Sequence, residues 1–92
     1  MRTISFRRNP DVIAAEAAGE TVLLNVTSWV YLSFNGTGAW IWGYLEQPRT
    51  PDDLCAAAEE EFDAAPAEIR RDIEEFLSDV VSKGFVLRND AS

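Results

Sequence analysis

The sequence predicts an α+β fold in which three short antiparallel strands precede three helices. Three observations carry this. Up to Phe34, apolar residues come in short branched runs bounded by turn formers, which is strand behaviour. Beyond Asn35 they recur at three- and four-residue spacing, which is helical. The two kinds of stretch are segregated rather than interleaved, which selects α+β over βαβ units.

Taken in order, Val12-Ile13-Ala14-Ala15-Glu16 is the first strand, and Ala18-Gly19-Glu20 turns the chain. Thr21-Val22-Leu23-Leu24-Asn25-Val26, rich in branched residues, is the second. A tight turn at Thr27-Ser28 leads into the third, Trp29-Val30-Tyr31-Leu32-Ser33-Phe34. Alternation puts Val30, Leu32 and Phe34 on one face and Trp29, Tyr31 and Ser33 on the other. The three strands read as an antiparallel meander, to which Ile4-Ser5-Phe6 adds an edge piece.

Asn35 is placed to cap a first helix over residues 36 to about 46, with Ile41, Trp42 and Leu45 on one side. Thr50 caps a second, with Pro51 in its first turn and Asp52 and Asp53 near its positive end. Leu54, Ala58 and Phe62 are its inward stripe. A third helix runs from Pro66 to about residue 83 with Ile69, Ile73, Phe76, Leu77 and Val80 at a clear 3.6-residue period. Gly84 ends it, Phe85-Val86-Leu87 covers the end of the core, and the last residues fray. Two helices joined by a short loop beside a small sheet give a winged helix-turn-helix-like arrangement.

Composition narrows the function. The 92 residues suit one domain spanning 1–92, with its core over about 12–87. A net charge of −8 speaks against nucleic acid, whose binders carry a basic stripe. A winged-helix DNA-binding regulator is the competing class. Its recognition helix would offer only Arg70, Arg71 and Lys83 against Asp72, Glu74, Glu75 and Asp79. Histidine is absent and Cys55 is the only cysteine, which excludes an internal disulfide, a Cys-His nucleophile pair and the usual zinc sets. No metal, cofactor or catalytic residue is expected. Glu59-Glu60-Glu61 and Glu74-Glu75 read as solvated helix faces, and Cys55 as a small buried residue. No stretch approaches membrane-spanning length, and no long apolar region follows the basic start, so a cytoplasmic, non-membrane protein is expected.

The run Leu23-Leu24-Asn25, then Tyr31, then Phe34-Asn35-Gly36-Thr37-Gly38-Ala39 and Ile41-Trp42, resembles the signature of proteins related to pyrroloquinoline quinone biosynthesis protein D (PqqD). So does Asp72-Ile73 with Phe76-Leu77, ending at Gly84-Phe85-Val86. The likeness covers roughly residues 12 to 87. It implies a winged-helix recognition element for ribosomally made, post-translationally modified peptides, and no enzymatic activity of its own. The implied partners are the leader segment of a precursor peptide and a separate maturation enzyme. A free-standing chain with Thr-Gly-Ala-x-Ile-Trp looks like the leader-binding proteins of lasso-peptide systems, which work with a separate leader peptidase. The implied mechanism is capture of the leader as an extra strand on the third strand, in a groove against the third helix. One departure is Trp29, where members often carry glycine; a tryptophan there changes the turn into the third strand.

On that reading the peptide-binding residues are Trp29, Val30, Tyr31, Leu32, Ser33 and Phe34 on the strand, and Ile69, Asp72, Ile73 and Phe76 on the helix. An unpaired edge accepts an extended chain through its main chain, while flanking side chains select it. Val30, Leu32 and Phe34 serve equally as core, Phe34 above all; Tyr31 and Ser33, facing the other way, are the better contacts. Phe76, with Ile69 and Ile73, is expected to line an apolar pocket for a leader side chain, and Asp72 to accept a hydrogen bond from the leader or hold an arginine. The competing reading makes Phe76 core and Asp72 a solvated charge. Trp40 and Tyr44 fall away from the buried side of the first helix. They suit a partner interface or partial burial against the N-terminal segment.

Overall fold

The computed structural model describes residues 3–34 and 36–91. In chain order they form β1 (Thr3–Arg8), β2 (Val12–Ala17), β3 (Glu20–Asn25), β4 (Val30–Phe34), α1 (Thr37–Tyr44), α2 (Pro51–Glu61), α3 (Pro66–Ser82) and β5 (Val86–Ala91). The expected cap Asn35 lies outside the described residues.

The meander forms as expected: β2, β3 and β4 are antiparallel neighbours in that order. Ala18 and Gly19 both take positive φ, 54° and 81°, the backbone of a hairpin turn whose twist matches its strands. The second connection differs from expectation. The turn takes up residues 26–29, and β4 begins at Val30 rather than Trp29. Trp29 sits in the left-handed region at φ 61°, and its N–H donates to the Asn25 carbonyl at 2.8 Å. The Asn25 side chain makes this turn possible: its Oδ1 accepts the N–H groups of Thr27 and Ser28 at 2.9 and 3.1 Å.

Ile4-Ser5-Phe6 is not an edge piece of the meander. It belongs to β1, which pairs antiparallel with β5 in a separate two-stranded sheet. The end expected to fray is therefore the partner strand of β1. A pairing between the two ends of the chain leaves no local signature, and Arg88-Asn89-Asp90 carries no strand propensity of its own. The pairing is reinforced inside the fold, because Phe6 exchanges backbone hydrogen bonds with Arg49 at 2.7 and 2.9 Å. Phe6 joins the core, so the packed residues begin ahead of position 12.

The end of α1, the start of α2 and the end of α3 are set by identifiable contacts. Arg8 closes the end of α1, donating to the Trp42 carbonyl from Nε and Nη2 at 3.0 and 2.6 Å while its guanidinium lies 4.5 Å over the Trp42 ring. Thr50 and Asp53 form a capping box on α2. The end of α3 is a Schellman motif. Gly84 sits at φ 82°, its N–H bonds to the Val81 carbonyl at 3.1 Å, and that of Phe85 to Val80 at 3.0 Å. The core gathers Leu23 from β3, Ile41 from α1 and Leu45 just beyond its end, Leu54 from α2, Ile73 and Val80 from α3, and Phe85 and Val86, all almost fully buried.

Candidate functional site

Strand β4 is an edge. Its one partner among the described residues is β3, so one side of its backbone is unpaired. Two ties fix α3 beside it. At the far end, the rings of Phe34 and Phe76 meet edge to face, centroids 5.5 Å apart. At the near end, Asn25, which pairs with Val30, donates from Nδ2 to the Gly84 carbonyl at 2.8 Å. The spans agree: four strand steps from Val30 to Phe34 and eight helix steps from Gly84 back to Phe76 each cover about 12–13 Å. The strand and the last turns of the helix thus run side by side in opposite directions.

The helix covers the strand incompletely. On the inner face of the sheet, Leu23 on β3 is 0% exposed, but on β4 Leu32 and Phe34 are half-buried and Val30 is 44% exposed. Burial therefore runs out toward the free edge, and the α3 row through Phe76 flanks the far end of the strand. Asp72, Asp79 and Lys83 share that row by helical spacing. Lys83 and Asp79 hold each other at 3.1 Å. Asp72 lies 3.7 Å from Arg71 in an exposed pair that contributes little to stability.

The expected site residues are therefore brought together in part. Val30, Tyr31, Leu32, Ser33 and Phe34 form the edge, with Tyr31 74% exposed and Ser33 exposed, both on the outer face. Trp29, 73% exposed, flanks the edge from the turn. Phe76 meets Phe34, and Asp72 lies one turn earlier on the same row of α3. Ile69 and Ile73 are buried and line, with Thr37, Phe62 and Asp72, a hollow of about 270 Å³ near the start of α3. Phe76 is not in its wall. The single pocket expected from Phe76, Ile69 and Ile73 is instead two features, because Phe76 turns toward Phe34 and Gly38. A larger hollow of about 390 Å³, bounded by Ile4, Phe6, Leu77 and Val81, lies on the side of α3 away from Phe76.

Two positioning residues escape a reading by pattern. Asn25 is buried and holds the turn before β4 and the end of α3 together. Its signal is a polar residue on the same strand face as Leu23. Gly38 lets α1 pack closely against both Phe34 and Phe76, since a Cβ there would lie 3.1 Å from Phe76 Cε1 and 3.3 Å from Phe34 Cβ. Trp40 and Tyr44 are half-buried. They stack on each other at 5.3 Å, and Trp40 meets Phe62 edge-on while Arg49 covers Tyr44 at 4.3 Å. Their burial comes from these neighbours.

Among the described residues no three His, Cys, Asp or Glu side chains gather as a metal site, and no helix is long and apolar enough to cross a membrane. Glu59, Glu60, Glu61, Glu74 and Glu75 are exposed. Cys55 is buried, and burial pushes its thiol pKa up.

An exposed sheet edge braced by a helix alongside it is the geometry of a module that adds a peptide strand. The model of the family of coenzyme PQQ synthesis protein D (PqqD) matches residues 20–86, and the chain belongs to that family. Two solved structures share the fold. One, TbiB1 in complex with the TbiA(beta) leader peptide, is 25% identical with a TM-score of 0.80, covering 87% of this chain and 93% of its own. The other, lasso peptide synthetase B1 complexed with the leader peptide, is 27% identical with a TM-score of 0.79, covering 89% and 96%. No curated protein sequence matches the chain.

Proposed function

We propose that this protein binds the leader segment of a ribosomally made precursor peptide as a fourth strand on β4 and delivers it to a separate processing enzyme, the leader peptidase of a lasso-peptide system. The observation that carries this reading is the unpaired edge of β4 held alongside α3 by the Phe34–Phe76 and Asn25–Gly84 ties. Main-chain hydrogen bonds to β4 supply affinity with little regard to sequence. Phe76, Asp72 and the hollow over Ile69 and Ile73 supply selection on one side, and Trp29, Tyr31 and Ser33 on the other. Support comes from the two similar structures, both of leader-peptide complexes. In this reading the module is a cytoplasmic adaptor without catalysis of its own. A DNA-binding role finds little footing on α3: Arg70 is engaged by Asp52 at 2.7 Å and Lys83 by Asp79, leaving an acidic helix face.

The test is hydrogen exchange on the protein with and without synthetic leader peptides from lasso-peptide precursors. Outward-facing amides of β4 are expected to gain protection while those on the free side of β2 do not. Protection on β2 instead, or no binding by any such leader, contradicts the proposal.

A further inference from the structure

Helical spacing orders the faces of α3 around its axis. Outward from the row of Phe76, Asp72 and Asp79 comes a face with Ser82 and Ser78, and beyond that one with Val81 and Leu77. Each of these two faces bears a depression. The open one, about 500 Å³, is lined by Glu74, Glu75, Ser78, Asp79 and Ser82 together with Arg71. The more enclosed one is the hollow of about 390 Å³ over Ile4, Phe6, Leu77 and Val81. Glu74, Ser78 and Ser82 line both, so the two adjoin, and Asp79 joins the first to the row beside β4. The serines keep this passage low. They stand one turn apart, and the Ser82 hydroxyl folds back to donate to the Asp79 carbonyl at 2.7 Å. The hollow beyond has an apolar floor, with Phe6 and Leu77 buried and Ile4 and Val81 half-buried. Arg88 at its rim is held by Asp90 at 2.9 Å.

Position indicates the occupant. Gly84, tied through Asn25 to the Val30 end of β4, is two residues from Ser82, so a strand leaving β4 at that end arrives at the serines. Half the girth of α3 then separates the row beside β4 from the hollow. For a chain riding on the helix surface this is roughly 20 Å, about six extended residues. Charge agrees with a peptide of one kind. Glu74, Glu75 and Asp79 face the passage against Arg71, which suits a crossing segment that carries lysine or arginine. We propose that the leader does not end its contacts at β4. Past the Val30 end it crosses the Ser78–Ser82 face of α3 as a basic segment and seats an apolar side chain in the hollow over Ile4, Phe6, Leu77 and Val81. This rests on strand addition at β4 and adds a second anchor on the opposite side of the same helix. Two anchors on one peptide make the second contact intramolecular, so a leader long enough to reach both binds more tightly than its strand-forming part alone.

The experiment uses Ser78→Arg, which fills the passage at an exposed position, and Val81→Thr, which puts a hydroxyl into the hollow at nearly constant volume. Both are checked by circular dichroism. The probes are a full-length synthetic leader of a lasso-peptide precursor and a set shortened from each end, read by fluorescence anisotropy at low and high salt and by hydrogen exchange. On the parent, one truncation is expected to cost about tenfold in affinity while the shortened peptide still protects β4. Ser78→Arg should weaken the full-length leader by about tenfold, and Val81→Thr by about threefold, with the shortened peptide within twofold of its parent value. The affinity of the full-length leader should also fall more steeply with salt. Folded variants that bind the full-length leader like the parent overturn the proposal, as does an equal loss for long and short peptides. So does a parent dimer in sedimentation that Ser78→Arg dissociates, since the hollow then belongs to a second copy. The two readings fail separately: protection of β4 with no effect of Ser78→Arg removes the second anchor alone, and an effect of Ser78→Arg without protection of β4 removes strand addition.

Discussion

The ring of Phe76 meets the ring of Phe34 edge-on at 79°, joining the end of the free strand β4 to the middle of α3. This contact fixes how closely α3 approaches the end of the strand. Truncating Phe76 removes a half-buried ring from the core and a wall from the site. Phe76→Ala is expected to lower stability by about 1.5 kcal/mol, less than a fully buried phenylalanine would. It should weaken leader binding more, by about 2 kcal/mol or some thirtyfold. Urea melts and anisotropy titrations of the same samples decide; unchanged affinity in the folded variant takes Phe76 out of the site.

Gly38 and Gly43 lie on one short helix and should respond oppositely to alanine. At Gly43 an added Cβ meets nothing within 4 Å, so Gly43→Ala gains helix propensity of about 0.5–1 kcal/mol. At Gly38 the same methyl meets Phe34 Cβ, an atom with no freedom to swing away. Gly38→Ala should therefore cost about 1–2 kcal/mol as an overpacked contact. Equal melting shifts for the two would mean that Gly38 is not a close approach.

Asn25 works as a clamp through both ends of its amide. Asn25→Asp keeps an oxygen for the N–H groups of Thr27 and Ser28 but replaces the donor to the Gly84 carbonyl with a buried negative charge. The expected loss is about 2–3 kcal/mol in urea unfolding at neutral pH, the scale of a buried polar group left unmatched. Leader affinity should fall with it, because α3 is no longer tied to the start of β4.

Trp29 holds a left-handed backbone that costs a side-chain-bearing residue about 1 kcal/mol, while its indole is mostly in water. Trp29→Gly is expected to raise stability by about 0.5–1 kcal/mol and to weaken leader binding. A gain in melting temperature with unchanged affinity would show that the ring is no part of the site.

Burial raises the Cys55 thiol pKa. A raised thiol pKa means that the folded chain holds the proton more tightly than the unfolded chain. The stabilisation is complete below the unfolded-state pKa and is lost as pH climbs through the folded one, on the alkaline side of neutrality. Cys55 should react with a thiol-labelling disulfide at pH 8 at least about a hundredfold more slowly in the native protein than in urea, following the fraction of open molecules. Comparable rates in both states would show Cys55 to be accessible.

The sequence by itself determined the local elements: the branched runs of the meander, the Thr50–Asp53 cap, the α3 stripe and the Gly84 stop all depend on neighbours a few residues away. It also carried the family motifs, and with them the strand and helix of the candidate site. Only the tertiary structure decided the partnership of β1 with β5, the start of β4 beyond Trp29, the turn of Phe76 toward Phe34 and away from Ile69 and Ile73, and the clamp at Asn25. Each joins residues distant in sequence or hangs on one backbone angle. Periodicity reports which face of an element is apolar but not which other element will meet it.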